Sequence, residues 1–483
     1  MEKGKEQHSS LLTRAMLKAM ALFSGSQGIT ILCSIVRTKL VAMWLGQAGV
    51  GLFAVLSNAL EMLNTTTNLG IRQSSVRDIA QSRAGEGHFD AAVTASAVRR
   101  WSVWLGVGGA LLTIALSPLL SLFSFKSTEW AWALCAMAVA VLLMALTNGR
   151  QAVLQGTSQL RRLAAVTIAG AVGGLVVSVP MFYFLLMDSV VPSIIAYADA
   201  VAAAAWMWRD RTLPAVKLAA AKAWQVGRQF IIMGAYMTGG AVATTVAGYV
   251  LVSWLNGAAG LDATGIYQSA NIIVNKYAGV VLTALGMEFY PRLAGVAHSH
   301  LRTRVHVSQE LNVAVTVIVP VAMLLVMLRG PVVSLLYTSE FGDALPVILW
   351  AAPGIVARTV SWIMAFVMLA RADGRMYIVT ETLSAMLSVV LAIAGYRLAG
   401  LPGLGMAYTA WYVAYAVIVA VVYRLRYRLS VSRWALASVA GGAVLIAAIV
   451  ATEAAGLHSL SWVLTAVTAG AALTRLRRLW QSK

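Results

Sequence analysis

The chain has 483 residues, 60% of them hydrophobic and only 11% charged, with a mean hydropathy of +0.78. Soluble domains average roughly 25% charged residues, so this composition excludes a water-soluble globular protein. The formal net charge of +19 does not point to nucleic acid, because the basic residues sit in short segments between long apolar runs, where they set membrane topology.

About fourteen runs reach the roughly 20 apolar residues needed to cross ~30 Å of hydrocarbon. The first six cover residues 23–45, 51–71, 101–123, 130–147, 163–187 and 190–208, and a polar link follows at 209–228. The remaining eight cover 229–255, 265–290, 311–328, 345–370, 377–396, 403–423, 434–451 and 460–473. The basic stretch Met1 to Lys18 imitates the start of a signal peptide, but the apolar run after it is too long and more spans follow, so it reads as leading into a retained first span. With a cytoplasmic N-terminus, alternating connections place all loop arginines and lysines inside except Lys126, Arg329 and Arg397. This asymmetry satisfies the positive-inside rule with both termini cytoplasmic. Cys33 and Cys135 lie inside apolar runs and form neither metal spacing nor a disulfide framework.

An internal repeat is visible. Trp44-Leu45-Gly46, Gly51-Leu52-Phe53 and Ser57-Asn58-Ala59 are echoed by Trp254-Leu255-Asn256, Gly265-Ile266-Tyr267 and Ser269-Ala270-Asn271, and Asn148-Gly149-Arg150 by Asp373-Gly374-Arg375. Six spans per copy in the same orientation is a known transporter plan. The expected fold is therefore all-α and polytopic, with two six-helix bundles and two C-terminal helices. Its parts are an N-terminal bundle with its linker (1–227), a second bundle (228–428) and the two added helices (429–483).

Ionisable residues within the spans carry the functional signal, since a cation at the centre of a membrane helix costs about 2.5–3.5 kcal/mol on insertion scales. Arg37, Lys39, Lys276 and Arg358 are such cations. Arg37 continues a polar stripe through Ser26, Thr30 and Ser34 at helical spacing, which suggests a cavity that receives an anion; Lys39 points elsewhere. In the second span Asn58, Glu61, Thr65, Asn68 and Arg72 fall on one helical face, and Gln268, Asn271 and Asn275 do so in the matching span. Such neutral groups serve glycan hydroxyls or interhelical hydrogen bonds equally. Glu61 and Arg37 are expected at similar depth, as a pair that an incoming anion would separate. Glu61, Asp199 and Glu381 are the acids able to bind a coupling ion.

Gly46-Gln47-Ala48-Gly49-Val50-Gly51-Leu52-Phe53, with Asn68-Leu69-Gly70-Ile71 and Arg72, resembles the polysaccharide transporters of the multidrug/oligosaccharidyl-lipid/polysaccharide (MOP) superfamily, and within it the Wzx-type O-antigen flippases. The resemblance implies a protein of the bacterial inner membrane that moves an undecaprenyl-pyrophosphate-linked oligosaccharide from the cytoplasmic to the periplasmic leaflet by alternating access. It implies no catalysis and no cofactor beyond coupling to H+ or Na+. Its partners would be the lipid-linked oligosaccharide, membrane lipids and other polysaccharide-assembly membrane proteins. Arg37, Lys276, Arg358, Asn58, Glu61, Asn271 and Asn275 are then the candidate pyrophosphate and glycan contacts, on residue type and depth. A drug or metabolite exporter of the same superfamily is the first alternative, and it would favour acids over cations in the cavity. A membrane glycan polymerase or glycosyltransferase is disfavoured by the short outside connections and the lack of paired carboxylates.

Overall fold

The computed structural model describes residues 2–83, 85 and 89–481, with side chains described from residue 25 onward apart from positions within 229–237, 277–291 and 476–481. The side chains of the basic N-terminal stretch lie outside that description. Among the described residues every regular element is helical: α1 (Glu2–Asn68), α2 (Ile71–Arg83), α3 (Ala91–Phe125), α4 (Ala131–Gly156), α5 (Leu160–Leu185), α6 (Val190–Met207), α7 (Ala220–Val296), α8 (His300–Leu336), α9 (Ala344–Ala370), α10 (Gly374–Leu425), α11 (Arg433–Ala454) and α12 (His458–Gln481). Lipid offers no hydrogen bonds to a backbone, so apolar runs of this length must satisfy their own amides as helices.

Among the described residues, nine helical stretches are long and apolar enough to cross a membrane. Four of them have the length of two crossings, and each carries a backbone break within two residues of a connection that the sequence predicts. The breaks fall at Gly46 (φ 65°), Leu186 (φ 46°), Gly260 (φ 84°) and Gly400 (φ 62°). Left-handed backbone is inexpensive for glycine, so a bare glycine turns the chain without a loop. With these breaks and the terminal α12, the helices make the polytopic all-α architecture expected of about fourteen spans.

The chain divides into two compact units, Met1–Leu261 and Asp262–Lys483. Compactness thus cuts the chain one span later than a division by sequence repeat. In the first unit α3 packs on α4, α5 on α6, and α1 on α5. The basic connection after the second span is not a plain loop. It forms α2, which buries Ile71, Ser74, Ser75 and Ile79 against α3 and α4. In the second unit α9 packs on both α8 and α10, while α11 and α12 pack on α8. Arg329 and Glu453 join α8 to α11 through a 2.9 Å ion pair.

The backbone fixes the register of the internal repeat. Gly46 and Gly260, Ser158 and Ala372, and Leu186 and Gly400 all have positive φ, and each pair is separated by the same 214 positions. Around Ser158 and Ala372 the turns even share their hydrogen bonds: Gln159 N donates to Leu154 O as Asp373 N donates to Met368 O. This register corrects three sequence echoes, the first being that Ser57 matches Asn271 rather than Ser269. Gly46 matches Gly260 rather than Asn256. Asn148-Gly149-Arg150 lies inside α4, whereas Asp373-Gly374-Arg375 opens α10, so those triplets are not equivalent.

The equivalent turn residues make equivalent clasps. Gln159 Nε2 donates to Asp210 Oδ1 (2.6 Å), tying the α4–α5 turn to the segment after α6. In the second unit Arg426 Nε donates to Asp373 Oδ2 (2.7 Å), tying the α9–α10 turn to the segment after α10. The donor and acceptor have exchanged sides while the clasp is kept.

Candidate functional site

A cavity of about 340 Å³ lies within the first unit, walled by both halves of α1 and by α2, α4, α5 and α6. Arg37 lines it, as its polar stripe suggests. The half-buried guanidinium is held between two aromatic faces, with its carbon 4.6 Å from the Tyr197 ring centre and 5.2 Å from that of Phe53. Arginine suits this place because a flat, weakly hydrated cation can lie on rings and still project its donor fork.

Among the described residues no carboxylate pairs with Arg37, and the expected partner Glu61 is exposed. Beyond the break at Gly46, α1 turns Phe53, Ser57 and Leu60 toward the cavity, and Glu61 sits about 100° further round the helix.

A second cation completes the site. Arg72 lines the same cavity from the start of α2 and makes no ion pair among the described residues. In the sequence it reads as a topology arginine at the end of a polar face. The turn at Leu69 and Gly70, both with positive φ, breaks that face between Asn68 and Arg72. The remaining members of the face are not cavity groups. Asn58 Nδ2 donates to the Ala54 carbonyl (2.8 Å) and Asn68 Nδ2 to that of Asn64 (2.9 Å), so the NH2 groups of both amides are engaged by their own helix.

Polar residues of α4 line the cavity instead: Thr147, Asn148 and Gln151. A reading that ends the fourth span at residue 147 misses them, because the amides and Arg150 interrupt the apolar run. The helix continues to Gly156 and carries them along its inner face. The signal available was their spacing, which keeps all three on one side of a helix. The described lining contains no Asp or Glu. Asp199 is exposed and lies outside it, although its neighbours Tyr197, Ala198 and Val201 are lining residues. Lys39 is half-buried outside the lining.

The second unit gathers three of the other candidates. Arg358 Nη1 donates to Asn275 Oδ1 (2.5 Å), and Asn275 Nδ2 donates to the Asn271 carbonyl (2.9 Å) and to Asn271 Oδ1 (2.7 Å). The Arg358 guanidinium also lies 5.6 Å from the centre of the Tyr412 ring, and Tyr408 is within 3.4 Å of it. Close by, Tyr415 OH donates to Glu381 Oε1 (2.5 Å). Lys276 is exposed on α7.

The 214-residue register relates these two sites position by position. Met144, Thr167, Ile194, Ala198 and Val201 line the cavity of the first unit. Their equivalents are Arg358, Glu381, Tyr408, Tyr412 and Tyr415, the groups of the second network. Small and aliphatic residues leave space in one copy. In the other, three tyrosines and two charged groups occupy the equivalent positions and bond to one another.

Comparison with known proteins agrees with this fold. A solved multidrug resistance MATE family transporter of the MOP superfamily, in an inward-facing conformation, superimposes with a TM-score of 0.70 at 14% identity, covering 85% of this chain and 98% of that one. The lipid II flippase MurJ, in an inward closed conformation, gives a TM-score of 0.63 at 10% identity, covering 95% and 99%. These likenesses define the class as a multi-pass membrane protein with the transporter and flippase fold. No curated protein sequence matches the chain significantly. The family described as polysaccharide biosynthesis protein matches residues 40–346, and the chain belongs to that family.

Proposed function

We propose that the protein is a flippase for an undecaprenyl-pyrophosphate-linked oligosaccharide, moving it from the cytoplasmic to the periplasmic leaflet of the inner membrane for O-antigen or another surface polysaccharide. One observation carries the reading: Arg37 and Arg72 face a cavity whose described lining has no carboxylate. Taking a diphosphate into hydrocarbon without compensation is prohibitive, and arginine forks are the fitting counter-charge. Family membership supplies the polysaccharide context. The orientation follows from the arginine-rich connections, which retain both termini in the cytoplasm.

Export of cationic drugs is the reading that the multidrug transporter likeness would favour. An arginine-lined cavity with no acid in its described lining repels such substrates. Ion coupling, by H+ or Na+, is assigned to Glu381, which is the one of the three candidate acids that is half-buried and hydrogen-bonded to a buried tyrosine.

The test is replacement of Arg37 by Ala in cells, with analysis of lipid-linked intermediates. The expected result is accumulation of the glycan on the inner leaflet at unchanged protein level. Unchanged intermediates together with altered drug sensitivity would establish the exporter instead.

A further inference from the structure

The cavity has more to offer than charge. Three of its hydroxyl groups have no proton to give a ligand: Thr30 donates to the Ser26 carbonyl (3.0 Å), Thr147 to that of Leu143 (2.8 Å) and Thr167 to that of Leu163 (3.0 Å). They present lone pairs only. The two α4 carboxamides that line the cavity differ. Asn148 and Gln151 have no hydrogen-bond partner among the described residues, although Gln151 is only 7% exposed. Their side-chain nitrogens and oxygens open on the cavity, so their hydrogen-bonding capacity is available to a ligand there. Their spacing of three places both on the cavity side of α4.

We propose that Asn148 and Gln151 form a sugar subsite that recognises the neutral sugar attached directly to the diphosphate. This rests on the flippase reading above. A carboxamide offers two donors and an acceptor on one plane, which matches the alternating donors and acceptors of a hydroxyl-bearing ring. With Arg37 and Arg72 engaged by the diphosphate, the described lining keeps no further charge to match an ionised sugar. At about 340 Å³ the cavity is at the small end of the roughly 300–1,000 Å³ that encloses small ligands. It therefore holds the diphosphate and the first sugar, and the rest of the glycan lies outside it. The subsite selects by what it leaves unbonded, since a site built to hydrogen-bond a hydroxyl strongly rejects an analogue that lacks it.

The test uses the full chain in lipid nanodiscs and two probes: a short polyprenyl diphosphate, and the same diphosphate bearing one neutral hexose. The wild type is expected to bind the hexose probe at least about tenfold more tightly. Gln151→Met and Asn148→Leu each bring the hexose probe down to the affinity of the bare one, which is itself unchanged. Arg37→Ala weakens both probes alike. Equal binding of the two probes by the wild type, or a preference that survives both α4 substitutions, overturns the sugar subsite while leaving the flippase reading intact. Binding of neither probe overturns the flippase reading and the subsite with it. Thermal unfolding without ligand separates recognition from folding. Gln151→Met melts at or above the wild-type temperature, because the amide has no bond to lose; a clear fall makes the amide structural and overturns the proposal.

Discussion

Arg37 shows how one residue can be tolerated in an apolar helix without an acidic partner among the described residues. Its charge lies on two ring faces, and its fork remains available to the cavity. Cation–aromatic contacts of this kind contribute about 0.5–2 kcal/mol each. Arg37→Lys keeps the charge but loses the flat stacking surface and the fork, so it is expected to lower flipping strongly at unchanged protein level. Tyr197→Leu removes one face and leaves the charge. The expected loss is about 1 kcal/mol, roughly fivefold in affinity for the diphosphate, measured as a rise in Kd with normal protein level. An unchanged Kd would mean that Tyr197 only fills space. The sequence reveals Arg37 and Arg358 because charge in a span is expensive and therefore conspicuous. It does not reveal Tyr197 or Gln151. A tyrosine or an amide in an apolar run serves packing, capping or binding alike, and only its contacts decide which.

Helices in both units are tied at their turns, and these ties carry a pH signature. Asp210 is buried, and burial by itself would raise its pKa. Hydrogen bonds from Gln159 and from the Thr212 side chain and backbone, with the nearby Arg99, outweigh this and hold the carboxyl below its ordinary value. A carboxylate with a lowered folded pKa contributes its full stability above the unfolded value of about 3.9, and that contribution is lost as pH falls through the lower folded value. Asp210→Ala is expected to cost about 1–3 kcal/mol at pH 7, the loss of hydrogen bonds from Gln159 and Thr212 to a charged acceptor. In denaturant unfolding of the solubilised protein, the gap between wild type and variant stays constant from pH 7 to about 5 and narrows only below about pH 4. A gap already closing near pH 6 would exclude this carboxylate as the cause. The turn itself was legible as a break between apolar runs. The clasp was not, because Gln159 and Asp210 are 51 positions apart and no local pattern connects them.

Across the whole molecule, duplication explains both what the sequence displays and what it conceals. Hydropathy and loop charge disclose the spans because lipid constrains them directly. The register of the repeat stays hidden because 40 glycines allow many chance echoes, and only the left-handed backbone at three matched pairs selects one. That register also turns the second unit into a template for blocking the first. Ala198 lines the cavity and is equivalent to Tyr412, whose ring in the second copy lies against Arg358. Ala198→Tyr therefore transplants a side chain that the same architecture already accommodates, into a space of about 340 Å³ that has room for it. The expected outcome is loss of flipping with a melting temperature within a few degrees of the wild type, since the ring fills a void instead of overpacking a dry core. Tyr412→Ala is the reciprocal change and is expected to destabilise by about 3–5 kcal/mol, as for other large aromatic truncations. If Ala198→Tyr folds and still transports at the wild-type rate, the substrate does not pass through the cavity of the first unit. If it fails to fold, the two copies are not interchangeable at this position, and the register drawn from the backbone does not extend to the packing.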